Sequence, residues 1–160
     1  MALTDEQVVA IYTGKITRWK AVGGHDAPIT VVTKAEGRST LEVFLQYFRM
    51  KNVDVKPQVV IGDNEQGVKT VAGNRNAIGY VSIGTAEYDA AHGVPIKLLP
   101  IGGVAASTEN VRKGVFPLSR PLHLVTRTAP SGLAKSFIEY AQSQAVYDLI
   151  RQQYFVPLAD

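Results

Sequence analysis

Ile-Thr-Val-Val-Thr-Lys-Ala-Glu-Gly-Arg-Ser-Thr-Leu-Glu-Val-Phe-Leu-Gln-Tyr-Phe, residues 29 to 48, reads as a strand, a tight turn and a helix. Ile29, Val31 and Val32 follow Pro28 and favour an extended chain, whereas Leu41, Phe44, Leu45 and Phe48 recur at the spacing of one helix face. The backbone therefore changes state between Thr33 and Leu41. Gly37 permits a sharp turn, and Ser39 followed three residues later by Glu42 matches the capping box that opens a helix. Unpaired helix-start amides, the hydroxyls of Ser39 and Thr40, and the cations Lys34 and Arg38 would then meet at one point, the outline of an oxyanion site. The same residues also fit a plain cap with solvated cations, and Glu42 in the first turn would partly cancel the positive potential.

Around this stretch the chain alternates strand-like and helix-like segments, which argues an α/β layered sheet. Thr4 to Gln7 forms a capping box for a short helix that ends at Thr13-Gly14, and Trp19 reads as a core plug before the Gly23-Gly24 turn. Arg49 and Lys51 fall where cations complement a helix end. Strands are expected at Lys56 to Ile61, Ala77 to Ile83, Pro95 to Ile101 and within Leu118 to Arg127, with Pro121 holding the last at an edge. Helices are expected at Asn64 to Ala72, capped by Asp63 and Gln66, at Thr85 to Ala91, and at Ser107 to Lys113. From Ser131 onward Leu133, Ala134, Phe137, Ile138 and Ala141 share one face, continued by Val146, Leu149 and Ile150.

Composition narrows the function classes. With 160 residues, 46% hydrophobic and 19% charged, the chain suits one compact domain or one lobe of a larger one. The net charge of +3 is spread over single Lys and Arg residues, so it fits small anions and not a nucleic-acid stripe. The absence of cysteine excludes disulfides, thiolate nucleophiles and Cys-ligated zinc. No apolar run reaches the ~20 residues of a membrane span, and no basic-then-apolar leader opens the chain. Met1-Ala2 directly before a helix cap suggests a trimmed start.

His25, His92 and His123 lack metal-ligand spacing, and no nucleophile elbow or defensible carboxylate pair occurs. No catalytic or metal site, and no cofactor, is therefore expected. Gly62 to Thr70 resembles a Walker A loop only superficially, because Val68 separates Gly67 from Lys69.

Four stretches together resemble the phosphate-binding proteins that feed phosphate ABC importers. They are Leu-Thr-Asp-Glu-Gln-Val-Val-Ala-Ile-Tyr-Thr-Gly-Lys-Ile-Thr-Arg-Trp (3 to 19), Ala-Gly-Asn-Arg-Asn-Ala-Ile-Gly-Tyr-Val-Ser (72 to 82), Asn-Val-Arg-Lys-Gly-Val-Phe-Pro-Leu-Ser-Arg-Pro-Leu (110 to 122) and Phe-Val-Pro-Leu (155 to 158). They occur in the family's order and span nearly the whole chain. The resemblance implies a type II periplasmic-binding-protein fold, three-layer αβα with a mixed sheet, in which two lobes close on dehydrated phosphate. It also implies a substrate-binding module without enzymatic activity, placed in the periplasm or another extracytoplasmic space and working with ABC transporter membrane subunits. Residues 1–160 are then one domain, about 25–100 forming the core of the family's second lobe and about 117–156 the segment that returns to the first lobe.

The family's binding segment falls on Lys34, Gly37, Arg38, Ser39 and Thr40. Two departures stand out. Lys34 replaces a common Arg, exchanging a bidentate fork for a point charge, and Arg38-Ser39 replaces Ser-Gly, so that Arg38 would either clamp the anion or block it. The family also has a long segment before the part matching Leu3, which supplies a hydroxyl-rich loop from the other lobe and has no counterpart here. A half-cleft should bind phosphate no better than roughly millimolar, about −4 kcal/mol. The apolar face of the terminal helices should then be covered by a second copy or another chain. The alternative reading is an interaction or sensory module of the same fold that has lost tight phosphate binding.

Overall fold

The computed structural model describes residues 2–157. Met1, read above as part of a trimmed start, and Leu158, the last residue of the fourth matching stretch, lie outside the described residues. The chain begins with α1 (Asp5–Tyr12), opened by the expected reciprocal cap: Gln7 donates its amide to Thr4 Oγ1 at 3.2 Å, and Thr4 donates its amide to Gln7 Oε1 at 2.9 Å. A 3-10 turn (Trp19–Val22) seats Trp19 in the core, where its indole N–H donates to the Asn76 carbonyl at 2.9 Å. Then come β1 (Thr30–Lys34), α2 (Ser39–Tyr47), β2 (Val59–Ile61), α3 (Asn64–Ala72), β3 (Ala77–Ile78) and α4 (Ile83–Ala91). The chain ends with α5 (Thr108–Arg112), α6 (Gly132–Ala141) and α7 (Tyr147–Gln152).

The sheet runs β2-β1-β3 and every named strand pair is parallel. Because the chain steps from β1 to one edge and then back across to the other, right-handed crossovers must put α2 and α3 on opposite faces. The alternation along β1 agrees. Val31 packs with Tyr12 and Phe44 in the main apolar cluster, whereas Val32 lies opposite, near Val71 of α3. This is the αβα layering of the α/β expectation. The antiparallel part of the expected mixed sheet is confined to two isolated bridges, Arg18 to Pro28 and Ile101 to Val104.

Several expected strands are shorter or missing, for physical reasons. Side chains take over ladder positions beside β1: Gln58 Oε1 accepts the Val31 amide at 2.7 Å, and the Tyr80 hydroxyl accepts the Lys34 amide at 3.2 Å. The expected strands at 56–61 and 77–83 therefore shrink to Val59–Ile61 and Ala77–Ile78, and α4 starts at Ile83 instead of Thr85. Pro95 to Ile101 contributes only the Ile101 bridge. Leu118 to Arg127 forms no strand, and residues 121 to 130 are all exposed. A strand without a neighbour has nowhere to send its backbone hydrogen bonds except water. The helical region after Ser131 is interrupted by a 3-10 turn at Gln144–Val146, and its apolar face lies open, with Leu133 90% and Phe137 62% exposed.

Tyr12 joins the two layers. Its ring lies 4.7 Å from Phe44 and its hydroxyl donates to the Val32 carbonyl at 3.3 Å. Burial, and secondarily the neighbouring Tyr80, push the phenol well above its usual value of 10.0. A group raised in the folded state supports the fold fully below its unfolded pKa and loses that support as pH climbs toward the folded value. Tyr12→Phe should cost about 1 kcal/mol at pH 7 through the lost hydrogen bond, yet flatten the decline in stability above pH 10. Urea unfolding at both pH values checks this; equal alkaline declines in the two proteins would refute it.

Candidate functional site

All three parallel strands deliver their carboxyl ends to one edge of the sheet. The exit from β1 leads to α2 on one face, while β3 leads to α4, which packs against α3 on the other. The crevice between such diverging exits is where open α/β sheets bind ligands. Ser39 and Thr40 from the start of α2, with Tyr80 and Ser82 from the β3–α4 connection, line a mostly apolar cavity of about 1130 Å³, whereas Lys34, Gly37 and Arg38 are not among its lining residues.

The turn after β1 behaves as its residues require. Gly37 has φ +78° with nothing near a hypothetical Cβ, so the glycine answers a backbone need and not crowding. The expected capping box at Ser39 and Glu42 does not form. Arg38 is the N-cap, at φ −92° and ψ 124°, with no side-chain cap. The helix starts one residue earlier than the Ser signal suggests, because the Arg38 carbonyl already accepts the amides of Leu41 at 2.9 Å and Glu42 at 3.3 Å. This shift leaves the Ser39 and Thr40 amides in the first turn without intrahelical acceptors. Ser39 is exposed and Thr40 half-buried.

The two cations behave differently. Arg38 is exposed and reaches toward the β2–α3 turn, where its Nη2 would lie 3.9 Å from a Cβ on Gly62. It does not close on either nearby carboxylate: Glu36 accepts from the Asn52 side-chain amide at 2.8 Å, and among the described residues the ion pairs do not involve Arg38, Glu36 or Glu42. Lys34 is only 4% exposed, and its Nζ donates to Asn64 Oδ1 at 2.5 Å. Desolvation holds its pKa below 10.5, with Arg38 acting in the same direction and Asp63 opposing.

Residues outside the sequence expectation complete the arrangement. Asn64 Oδ1 also accepts the Ser82 amide at 3.1 Å, tying the exits of β2 and β3 to the end of β1. Tyr80 stacks on Phe44 with centroids 3.9 Å apart, and its hydroxyl sits 2.7 Å from Thr33 Oγ1. Ser82 precedes α4 without capping it through its side chain. The Gly62-Asp63-Asn64 turn is legible as a strand-to-helix junction capped by Asp63, which says nothing of Asn64 reaching Lys34, and Ser82 is legible only as the end of the 72 to 82 stretch.

Among the described residues no group of three His, Asp or Glu side chains is placed to hold a metal, and no helix is long and apolar enough to cross a membrane. His25 is hydrogen-bonded to Asn76 at 2.8 Å, and His92 is stacked on Tyr88.

Residues 1–145 match the PBP superfamily domain. Over 159 residues the chain is 27% identical to the phosphate-binding protein PstS of Bacillus subtilis, covering 99% of this chain and 51% of that protein. An ABC-type phosphate transport receptor from Vibrio cholerae superposes with a TM-score of 0.77 at 30% identity, over 99% of this chain and 64% of that one. A phosphate ABC transporter substrate-binding protein from Clostridium perfringens, solved with bound phosphate, gives 0.76 at 31% identity, over 99% of this chain and 63% of that one. The chain thus spans about half the length of the Bacillus relative and under two thirds of the solved ones.

The burial of Lys34 has a measurable consequence. Its folded pKa lies below the unfolded one, so between the two the unfolded chain binds more protons. Charged Lys34 therefore costs stability at all lower pH, and the cost is relieved as pH rises toward 10.5. Lys34→Met should leave stability at pH 7 unchanged or raise it by about 1 kcal/mol, since Asn64 keeps the Ser82 amide as a partner. The advantage of the variant should shrink as pH approaches 10.5; an advantage that grows with pH would contradict the assignment.

Proposed function

The chain belongs to the PBP superfamily, and from that premise we propose that it is a substrate-binding lobe for inorganic phosphate or a similar tetrahedral oxyanion in ABC-type uptake. The observation that supports the reading is the start of α2, where the Ser39 and Thr40 amides have no intrahelical acceptor and both residues line the cavity, with Lys34 ending the preceding strand. Helix-start amides offer donors and a positive partial charge, the hydroxyls add donors, and a cation completes an anion's shell. Gly37 supplies the turn, and Arg38 stands beside the crevice able to swing over a bound ion.

The relatives are named as binding and transport proteins, and their names support a role without covalent chemistry. We read residues 25–100 as the lobe core, a reading supported by the position of all three strands between residues 30 and 78. Residues 117–156 are read as the segment that joins a second lobe, which fits their exposure. In this reading the protein works outside the cytoplasm and meets the membrane subunits of an importer.

Two measurements follow. Calorimetry with the 160-residue chain should give roughly millimolar phosphate affinity, because Ser39 and Thr40 face solvent on one side. The double variant Ser39→Ala, Thr40→Ala should bind at least tenfold more weakly with the fold intact, as each charge-assisted hydrogen bond contributes ~1.5–3 kcal/mol. A chain that binds no tetrahedral anion at all would favour the interaction-module reading. The open face of α6 is the natural place for a second copy or another chain to dock. Light scattering that finds a strict monomer at high concentration would exclude the second copy.

A further inference from the structure

A buried ammonium normally faces a carboxylate, because an unpaired charge in a low-dielectric setting is costly. Lys34 donates to an amide instead, and the Asp63 carboxylate acts on it only through space. The residues flanking that amide are both acidic, in the order Asp63-Asn64-Glu65, yet the neutral middle one takes Nζ. Asp63 uses its carboxylate on the Gln66 amide at 2.8 Å, capping α3, and Glu65 is exposed. Among the described residues no ion pair includes Lys34. The same Asn64 oxygen accepts the Ser82 amide, so its direction is held by two donors from two other strand exits.

We propose that Asn64 is a positioning residue of the oxyanion site: its amide oxygen fixes the Lys34 ammonium at the end of β1 without cancelling its charge, and so leaves that charge to the ligand. Of the three protons on Nζ, one is directed to Asn64 and two remain for other acceptors. An Asp in this position would hold the ammonium more strongly and neutralise it. This inference rests on the reading that phosphate binds beside Lys34.

The test measures phosphate binding by the 160-residue chain and its variants by calorimetry, with inorganic phosphate as the probe, and follows the ε-methylene NMR signal of Lys34 wherever the lysine is present. Asn64→Asp should remain folded and be at least as stable, since an acidic residue suits the first turn of a helix. It should nevertheless bind phosphate at least tenfold more weakly, the opposite direction from a merely structural role, in which stability and affinity fall together. Adding Asn64→Asp to Lys34→Met should produce no further loss, because the amide acts through the lysine. Unchanged affinity in Asn64→Asp, or a loss that adds in full to that of Lys34→Met, would overturn the inference. Should Asn64→Asp not fold, Asn64→Ala serves: several-fold weaker binding supports the inference and unchanged binding overturns it. A Lys34 signal that does not respond to phosphate in the unsubstituted chain would overturn the functional reading and with it this one, a result seen before any substitution is made.

Discussion

β1 is hydrogen-bonded on both edges, to β2 through Val32, Thr33 and Lys34 and to β3 through Thr30 and Val31. That double pairing is the constraint from which the rest of the molecule follows. A central parallel strand sends its crossovers to opposite faces, so α2 and α3 sandwich the sheet and three chain exits gather above its carboxyl edge. Apolar residues on both faces of β1 are the chemical counterpart, since a strand covered on two sides has no polar face to spare.

The polar edge of this apolar layer is where charge is tolerated. Lys34 ends β1 on the same side as Val32, close enough to the edge to reach Asn64 and deep enough to be nearly excluded from water. Burial weakens its hold on its proton, Asp63 opposes this through space, and the amide that accepts from Nζ supplies no counter-charge. Tyr80 plays the complementary part on the other face. Its ring adds to the aromatic cluster while its hydroxyl closes the ladder that β3 is too short to close. The same few side chains therefore close the sheet ladder and hold the polar ends of the strands together.

The C-terminal third behaves as a different kind of surface. α6 carries a clear apolar face, but Leu133 and Phe137 lie in water, and only Val146 among the described residues after 131 is buried. The Tyr154 backbone packs directly on Gly84 of α4, close enough that any side chain at that glycine would collide with it. The segment is thus tethered at its far end while its apolar face stays uncovered.

The sequence by itself determined the α/β alternation, the strand-turn-helix at 29 to 48, the caps at Thr4, Asp63 and Ser107, and the resemblance that points to an oxyanion ligand. These are local matters of periodicity, cap chemistry and motif order, legible because neighbouring residues fix them. Tertiary structure alone decided that Ser39 does not cap its helix, that Tyr80 and Gln58 replace backbone in the ladder, and that Leu118 to Arg127 finds no strand to pair with. It also decided that Asn64 and Ser82 stand beside Lys34. The reason is physical: a hydrogen bond between residues tens of positions apart, and the burial that perturbs a charge, depend on which segments the sheet brings together, and no spacing along the chain encodes that.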